Sequence, residues 1–202
     1  MTLTLAAMLL ALGLFLAMLL FLELGRQTGL HRLKQDPDGL ASGTGTAEGA
    51  VFGLLGLLIA FTFSGAAERF EQRRHLITEE ANAIGTAYLR LDLLGKTDRV
   101  ALQKQFADYT LLRACLYRDV DDMPLTLQRL DETNRQQQLI WQQALQATQG
   151  STAAPQAAML LLPALNEMID ITTTRFVATQ NHPPIAIFLL LTGRSLIGAL
   201  LV

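Results

Sequence analysis

The first 22 residues contain no charged side chain, and this run constrains the fold more than any other part of the sequence. Within it, residues 3–22 read LTLAAMLLALGLFLAMLLFL. An α-helix of this length spans about 30 Å, which matches the hydrocarbon thickness of a bilayer. We therefore predict a first transmembrane helix over residues 1–25. A cleaved signal peptide is the alternative, but the run has neither a basic n-region nor a small-x-small cleavage site before Glu23.

The overall composition favours the same class of protein. Charged residues make up 17% of the chain, whereas soluble domains average about 25%. The net charge of -2 provides no basic field that would attract nucleic acid. Because Cys115 is the one cysteine, a disulfide scaffold is excluded. We predict an integral membrane protein with the lipid bilayer, and no nucleic acid, among its partners.

Two further apolar runs predict two more transmembrane helices. The first, over residues 49–67, is uncharged, and a polar connection over 26–48 separates it from the first span. The second run, over residues 184–202, carries Arg194 near its middle. Because an arginine at mid-bilayer is expensive, we expect Arg194 to face the protein interior or a wet cavity, or to snorkel. The sequence stops within apolar residues, so we expect a fourth span to follow.

Residues 68–183 form a predicted extramembrane domain of helices. Its first helix continues the second span, because Phe70, Ile77, Ile84 and Leu91 recur every seven residues as a heptad seam, with Ala81 and Tyr88 between them. Three more helices are predicted to begin near residues 97, 122 and 152. The predicted fold is therefore all-α, with an extramembrane helical bundle built on an extended second helix.

The second span also carries small residues at four-residue intervals, in the sets Gly49/Gly53 and Gly56/Ala60/Ser64. This spacing lets helix backbones approach closely in lipid, although small residues are also simply frequent in transmembrane helices. Together with the heptad seam it predicts a homo-oligomer.

Polar clusters offer little chemistry. The acidic residues Asp119, Asp121 and Asp122 could hold a cation, or could cap the helix that begins before Pro124. A second group comprises His75, Glu79 and Glu80; His75 and Glu79 are four residues apart, but two ligands on one helix do not make a metal site. No nucleophile elbow, phosphate loop or HExxH motif is present. We predict no enzyme activity, no cofactor and no metal site.

A charged group follows the second span, comprising Glu68, Arg69, Glu71, Arg73 and Arg74. These side chains could anchor the helix among the lipid headgroups, with Glu71 and Arg74 paired at i,i+3. Alternatively, some of them meet across subunits or face a permeation path.

The run EGAVFGLLGLLIAFTFSGAAERFEQRRHLITEEANAIGTAYLRL, residues 48–91, resembles the bestrophin-like domain family of bacterial membrane proteins. The segments FTFS, RFEQRR and EEANAIGTAYLRL carry the resemblance, and ALNEMIDITTTRF extends it more loosely. That family is in turn distantly similar to the bestrophins, which are pentameric ion channels. The resemblance implies a pentamer in a bacterial inner membrane with residues 68–183 in the cytosol. The basic residues after the two spans give no orientation of their own, because three follow each.

The same resemblance implies a hydrophobic neck on the second span, formed by Leu54, Leu57 and Phe61. Rings of apolar side chains can gate a pore by dewetting. Glu68, Arg69, Arg73 and Arg74 would then form the pore mouth. The neck residues could instead pack against lipid or neighbouring helices. Two functions stay open: an ion channel with permeant ions as its partners, or a membrane-anchored scaffold that binds another protein without conducting ions.

Overall fold

A computed structural model of the chain describes residues 3–35, 44–116 and 123–201. These residues are helical apart from short connections, and no β-strand occurs among them, which confirms the all-α prediction. The helices are α1 (Leu3–Gln35), α2 (Thr44–Arg90), α3 (Lys96–Leu116), α4 (Met123–Thr148), α5 (Ala157–Gln180) and α6 (Ile185–Leu201), and a short 3-10 helix (Leu91–Leu93) follows α2.

Three stretches are long and apolar enough to cross a membrane: Leu5–His31, Glu48–Leu93 and Ala157–Leu201. The last stretch includes both α5 and α6, and the apolar run predicted over residues 184–202 corresponds to α6. The chain divides into two compact units. The first comprises Met1–Arg69 and His182–Val202, and the second comprises Phe70–Asn181.

The connection predicted over residues 26–48 is shorter in the structure. Helix α1 continues to Gln35, and α2 already begins at Thr44. Beyond the apolar run, Arg26 donates two hydrogen bonds of 2.9 Å to Glu23 one turn earlier, and such i,i+3 pairs support a helix outside an apolar environment. The length of the charge-free run therefore underestimated the length of helix α1.

The start of α5 also differs from its predicted position near residue 152. Residues 150–156 form turns, in which Ala153 N–H donates to Gly150 O and Ala157 N–H donates to Ala154 O. Pro155 disfavours helical backbone at the residue before it, so α5 begins at Ala157. Helix α4 begins at Met123 with Pro124 in its first turn, as predicted. The cluster Asp119, Asp121 and Asp122 lies outside the described residues.

In the first unit, α1 and α6 approach closely at a glycine. A Cβ atom placed on Gly25 would lie 2.2 Å from the carbonyl oxygen of Leu200, so no side chain fits there. Residue Gly198 of α6 faces the ring of Phe52 on α2, 3.3 Å from the position that a Cβ would take. Small residues thus bring helix backbones together in this unit, as is common between membrane helices.

The second unit is a four-helix bundle made by the remainder of α2 with α3, α4 and α5. Its core includes the fully buried side chains of Leu91, Phe106, Ile140 and Leu165. Leu91 comes from the 3-10 helix, and the other three come from α3, α4 and α5. The 3-10 helix is tied to the α4–α5 connection, because Ala154 N–H donates to Leu93 O at 2.8 Å. Leu102 and Tyr109 of α3 and Leu161 and Met168 of α5 also belong to this core.

The heptad seam predicted on α2 coincides only in part with the stripe that the bundle buries: Leu91 is fully buried and Ile84 packs against the core. The buried stripe of α2 contains Leu76, Glu80, Ala83, Ala87 and, just beyond the helix, Leu91.

Of the predicted seam, Phe70, Ile77 and Tyr88 are 61%, 52% and 41% exposed. Ile77 of the seam follows Leu76 of the buried stripe by one residue, so these two side chains are rotated by about 100° from each other around the helix. Helix α2 consequently carries a second apolar stripe that the described chain leaves uncovered.

Candidate functional site

The predicted neck residues lie together on one side of α2 in the first unit. At about 100° per residue, Leu54, Leu57 and Phe61 fall within roughly 60° of each other around the helix axis. Their exposed fractions are 38%, 49% and 66%. Phe52 and Leu55, which line an apolar pocket with Gly198 of α6, lie roughly 160° away around the same helix. The neck face is therefore the face of α2 turned away from its packing contacts in this unit.

The four predicted mouth residues lie on one stretch of α2 that the boundary between the two units divides. Glu68 and Arg69 belong to the first unit, and Arg73 and Arg74 belong to the second. Glu68 is exposed. The guanidinium of Arg69 folds back along α2, with Nη1 3.2 Å from the position that a Cβ on Gly65 would take.

Both arginines in the second unit have structural contacts. Arg73 donates from Nε to the carbonyl oxygen of Ala178 and from Nη2 to that of Asn181, both at 3.2 Å. It thereby satisfies carbonyl groups at the C-terminal end of α5, where a cation is favourable. Arg74 donates to Glu71 at 3.2 Å, and its guanidinium lies 5.9 Å from the ring centroid of Phe70. These contacts tie Arg73 to the end of α5, whereas Arg74 forms an exposed pair along α2 itself.

A buried ion-pair cluster in the second unit was missed from the sequence. His75 and Glu79, which are four residues apart on α2, form a surface pair with 3.0 Å between Nε2 and Oε1. Glu80, by contrast, turns into the bundle and is 2% exposed. Its Oε1 accepts a hydrogen bond from Nε of Arg113, and its Oε2 accepts one from Nη1 of Arg175.

Neutral polar groups extend this cluster across the bundle. The buried Gln137 donates from Nε2 to the hydroxyl oxygen of Tyr109 at 3.2 Å and to Oγ1 of Thr172 at 3.3 Å. Thr172 donates in turn to the carbonyl oxygen of Ile169. We refer to these residues as the polar layer, which comprises Glu80, Tyr109, Arg113, Gln137, Thr172 and Arg175 and draws on all four helices of the bundle.

The surroundings of Glu80 and Tyr109 determine the ionisation states of these two residues of the polar layer. Burial by itself would raise the pKa of the Glu80 carboxyl, but the hydrogen bonds and charges of Arg113 and Arg175 outweigh burial and leave this pKa below its usual value. Burial raises the pKa of Tyr109, so its phenol stays protonated at neutral pH. A charged carboxylate between two guanidiniums in a low-dielectric interior is stable only while all partners are in place.

The layer contains no nucleophile paired with a base, and no group of three His, Cys, Asp or Glu side chains that could hold a metal ion occurs among the described residues. Its arrangement fixes which turns of the four helices face each other. Buried polar groups are known to set helix register in this way. The polar layer therefore has a structural role, which is to set the register of the helices in the bundle.

The lowered pKa of Glu80 predicts how acid affects the bundle. Since the folded-state pKa lies below the ordinary value of 4.5, the stabilisation is fully present above that pH and is lost as the pH falls through the folded-state pKa. The free energy of unfolding should therefore fall more steeply below pH 4.5 in the wild type than in Glu80→Gln. Urea titrations followed by the fluorescence of Trp141, the one tryptophan of the chain, measure this. Equal slopes for the two proteins would contradict the assignment.

Comparisons with protein-family models, with curated proteins and with solved structures gave no match to this chain. The bestrophin-like resemblance accordingly remains a prediction from the sequence.

Proposed function

We propose that the protein is a membrane-embedded homo-oligomer that conducts ions through a pore lined by α2. Leu54, Leu57 and Phe61 form its hydrophobic neck. The observation that carries the proposal is the position of these side chains. They share one face of α2, they are exposed in the single chain, and they point away from the contacts that Phe52 and Leu55 make within the first unit. The bestrophin-like resemblance adds the number of subunits, five.

The chemistry of the neck determines where ions are selected. An apolar ring presents no charge, so it acts as a barrier to hydrated ions by dewetting. Selection between anions and cations then requires charged side chains at the mouth. Within the part of the chain that the structure describes, Glu68 and Arg69 form no hydrogen bond or ion pair with another side chain, whereas Arg73 bonds to the end of α5 and Arg74 pairs with Glu71. We assign the selecting role to Glu68 and Arg69.

Ion flux in reconstituted liposomes tests the neck. Phe61→Ala and Leu57→Ala should each raise the flux several-fold over the wild type, because a smaller side chain widens and wets the constriction. The matched control is Phe63→Ala, which removes the same side chain from the opposite side of α2 and should leave the flux unchanged. Arg69→Ala should shift the reversal potential in a salt gradient without abolishing conduction.

Two results would contradict the pore. One is the absence of flux from the wild type and from both neck variants when the protein is correctly inserted. The other is an equal increase for Phe63→Ala, which would indicate a general loosening of the helix. A membrane-anchored scaffold is the alternative function, and the specific observation that favours it is the uncovered apolar stripe of α2 in the second unit.

A further inference from the structure

A cavity of about 430 Å³ opens between α4 and α5 in the second unit. Its volume lies in the range of small-molecule sites, which is roughly 300–1,000 Å³. Three exposed amides of α4, those of Asn134, Gln138 and Gln142, recur every four residues along one edge of the cavity. They extend over two helical turns, or about 12 Å. We name this site the α4/α5 cavity.

The buried Gln137 of the polar layer also lines this cavity. Thr172 gives its hydroxyl proton to the carbonyl oxygen of Ile169, so its Oγ1 accepts from Nε2 of Gln137. The hydroxyl oxygen of Tyr109 takes the second proton of that nitrogen. The group that remains is Oε1 of Gln137, which accepts no hydrogen bond from any residue that the structure describes. Because Gln137 is 6% exposed and buried amide oxygens ordinarily have a donor, a hydroxyl group of a ligand in the cavity would complete its bonding.

Trp141 adds an aromatic ring to the amides. It follows Gln137 by four residues and therefore lies one turn along the same side of α4. Its side chain is partly buried and packs against the core of the bundle, which holds the ring in place. An indole combines an apolar face with one N–H donor at its edge. The cavity can therefore contact an apolar surface of a ligand and hydrogen-bond to its polar groups.

The chemistry of the lining indicates the class of ligand. Among the described residues that line the cavity, none is charged: they are four amides, two threonines, Trp141 and Ile169. An ionised ligand would lose hydration here without meeting an opposite charge. Amide and hydroxyl groups offer donors and acceptors together, as the hydroxyls of a sugar do, and a sugar ring also has a face of C–H groups. A flat ligand with polar atoms at one edge would reach few of the amides.

We propose that the α4/α5 cavity binds a small neutral sugar, with the C–H face of the ring on Trp141 and the hydroxyls on the amides of α4. The site is separate from the proposed pore, because the neck residues belong to the first unit and the cavity belongs to the second. A bound sugar reaches the polar layer through Oε1 of Gln137. Since this arrangement exists only in the folded bundle, binding stabilises the bundle against unfolding.

Isothermal titration calorimetry of the full chain with D-glucose, D-galactose and D-mannose tests the site, in a detergent whose headgroup is not a sugar. At least one of the three should bind saturably at millimolar or lower concentration. It should change the fluorescence of Trp141, the one tryptophan of the chain, over the same concentrations, and raise the midpoint of urea unfolding. The uronic acid and the amino sugar that correspond to it carry a charge and should bind more weakly by roughly tenfold or more.

Two exposed glutamines of α4 provide matched variants. Gln138 lines the cavity, whereas Gln128 lies outside it on the same helix. Gln138→Ala should weaken binding several-fold, and Gln128→Ala should leave it unchanged. Urea unfolding followed by Trp141 shows that both variants are folded, as expected for exposed positions.

Saturable binding of a neutral sugar that Gln138→Ala weakens and Gln128→Ala does not would support the site. The proposal is overturned if none of the three sugars binds, if the charged counterparts bind equally well, or if the two glutamine variants behave alike. Each of these results leaves the ion-flux test of the neck unaffected, so the sugar site and the pore fail independently.

Discussion

Glu80→Gln is expected to lower the free energy of unfolding of the second unit by about 3–5 kcal/mol. The substitution keeps the shape of the side chain but removes the negative charge that Arg113 and Arg175 face in the core. The buried Arg113 and the part-buried Arg175 then lose the carboxylate that both of them contact, which costs far more than the loss of one surface pair. Urea unfolding monitored by Trp141 measures the effect in the full chain.

The matched control is Glu79→Gln, one residue earlier on the same helix. Its exposed contact with His75 should contribute less than about 1 kcal/mol, as surface pairs do. A third variant, Glu80→Leu/Arg113→Met/Arg175→Met, removes all three charges and is expected to recover most of the lost stability, because none of these three groups then has to be kept charged in the interior. If Glu80→Gln and Glu79→Gln destabilise the bundle equally, the buried cluster is not the source of its stability.

Gly25→Ala should have the largest effect in the apolar unit. The added Cβ would lie 2.2 Å from the carbonyl oxygen and 2.9 Å from the carbonyl carbon of Leu200. Backbone cannot move aside as a flexible side chain can, so α1 and α6 have to separate. Overpacking of this kind costs about 1–3 kcal/mol or more. The fraction of protein that remains monodisperse in detergent after heating reports the loss, and the midpoint should fall by several degrees.

Gly29→Ala is the control, on the same helix and one turn further along. No atom lies within 4 Å of a Cβ placed there, and alanine favours a helix over glycine by about 1 kcal/mol. Its midpoint should stay unchanged or rise. Equal losses for the two variants would show that α1 tolerates no added methyl group at all, and the close approach at Leu200 would then not be the cause.

The sequence was sufficient for the helices and insufficient for the assignment of their faces. Charge-free runs located the apolar helices, and Pro124 marked the start of α4. The predicted helix ends were wrong where polar residues continue a helix, as in α1 beyond residue 25. Local ion pairs such as Glu23–Arg26 support the helix there, although the apolar run has already ended. A boundary read from charge alone therefore marks the apolar stretch and not the helix.

The packing role of the heptad seam was assigned incorrectly, and the polar layer was missed, for a different reason. Helix α2 carries two apolar stripes, and periodicity alone does not tell which one packs within the chain. Glu80, Arg113 and Arg175 occupy helical positions within otherwise buried stripes, so each resembled a polar interruption when its helix was considered alone. The contacts of Glu80 with the two arginines appear only after α2, α3 and α5 are brought together. The sequence signal that could have identified these three residues is a charged side chain at a helical position that otherwise carries buried apolar residues.

The polar layer also restricts how the bundle can move. Sliding α3 or α5 along α2 by one turn, about 5.4 Å, would carry the guanidinium of Arg113 or Arg175 out of reach of Glu80. At about 1.4 kcal/mol per tenfold change in population, a penalty of several kcal/mol keeps such a slipped state below one molecule in a hundred. The contacts of Glu80 with Arg113 and Arg175 therefore keep α2, α3 and α5 from sliding past one another within the second unit.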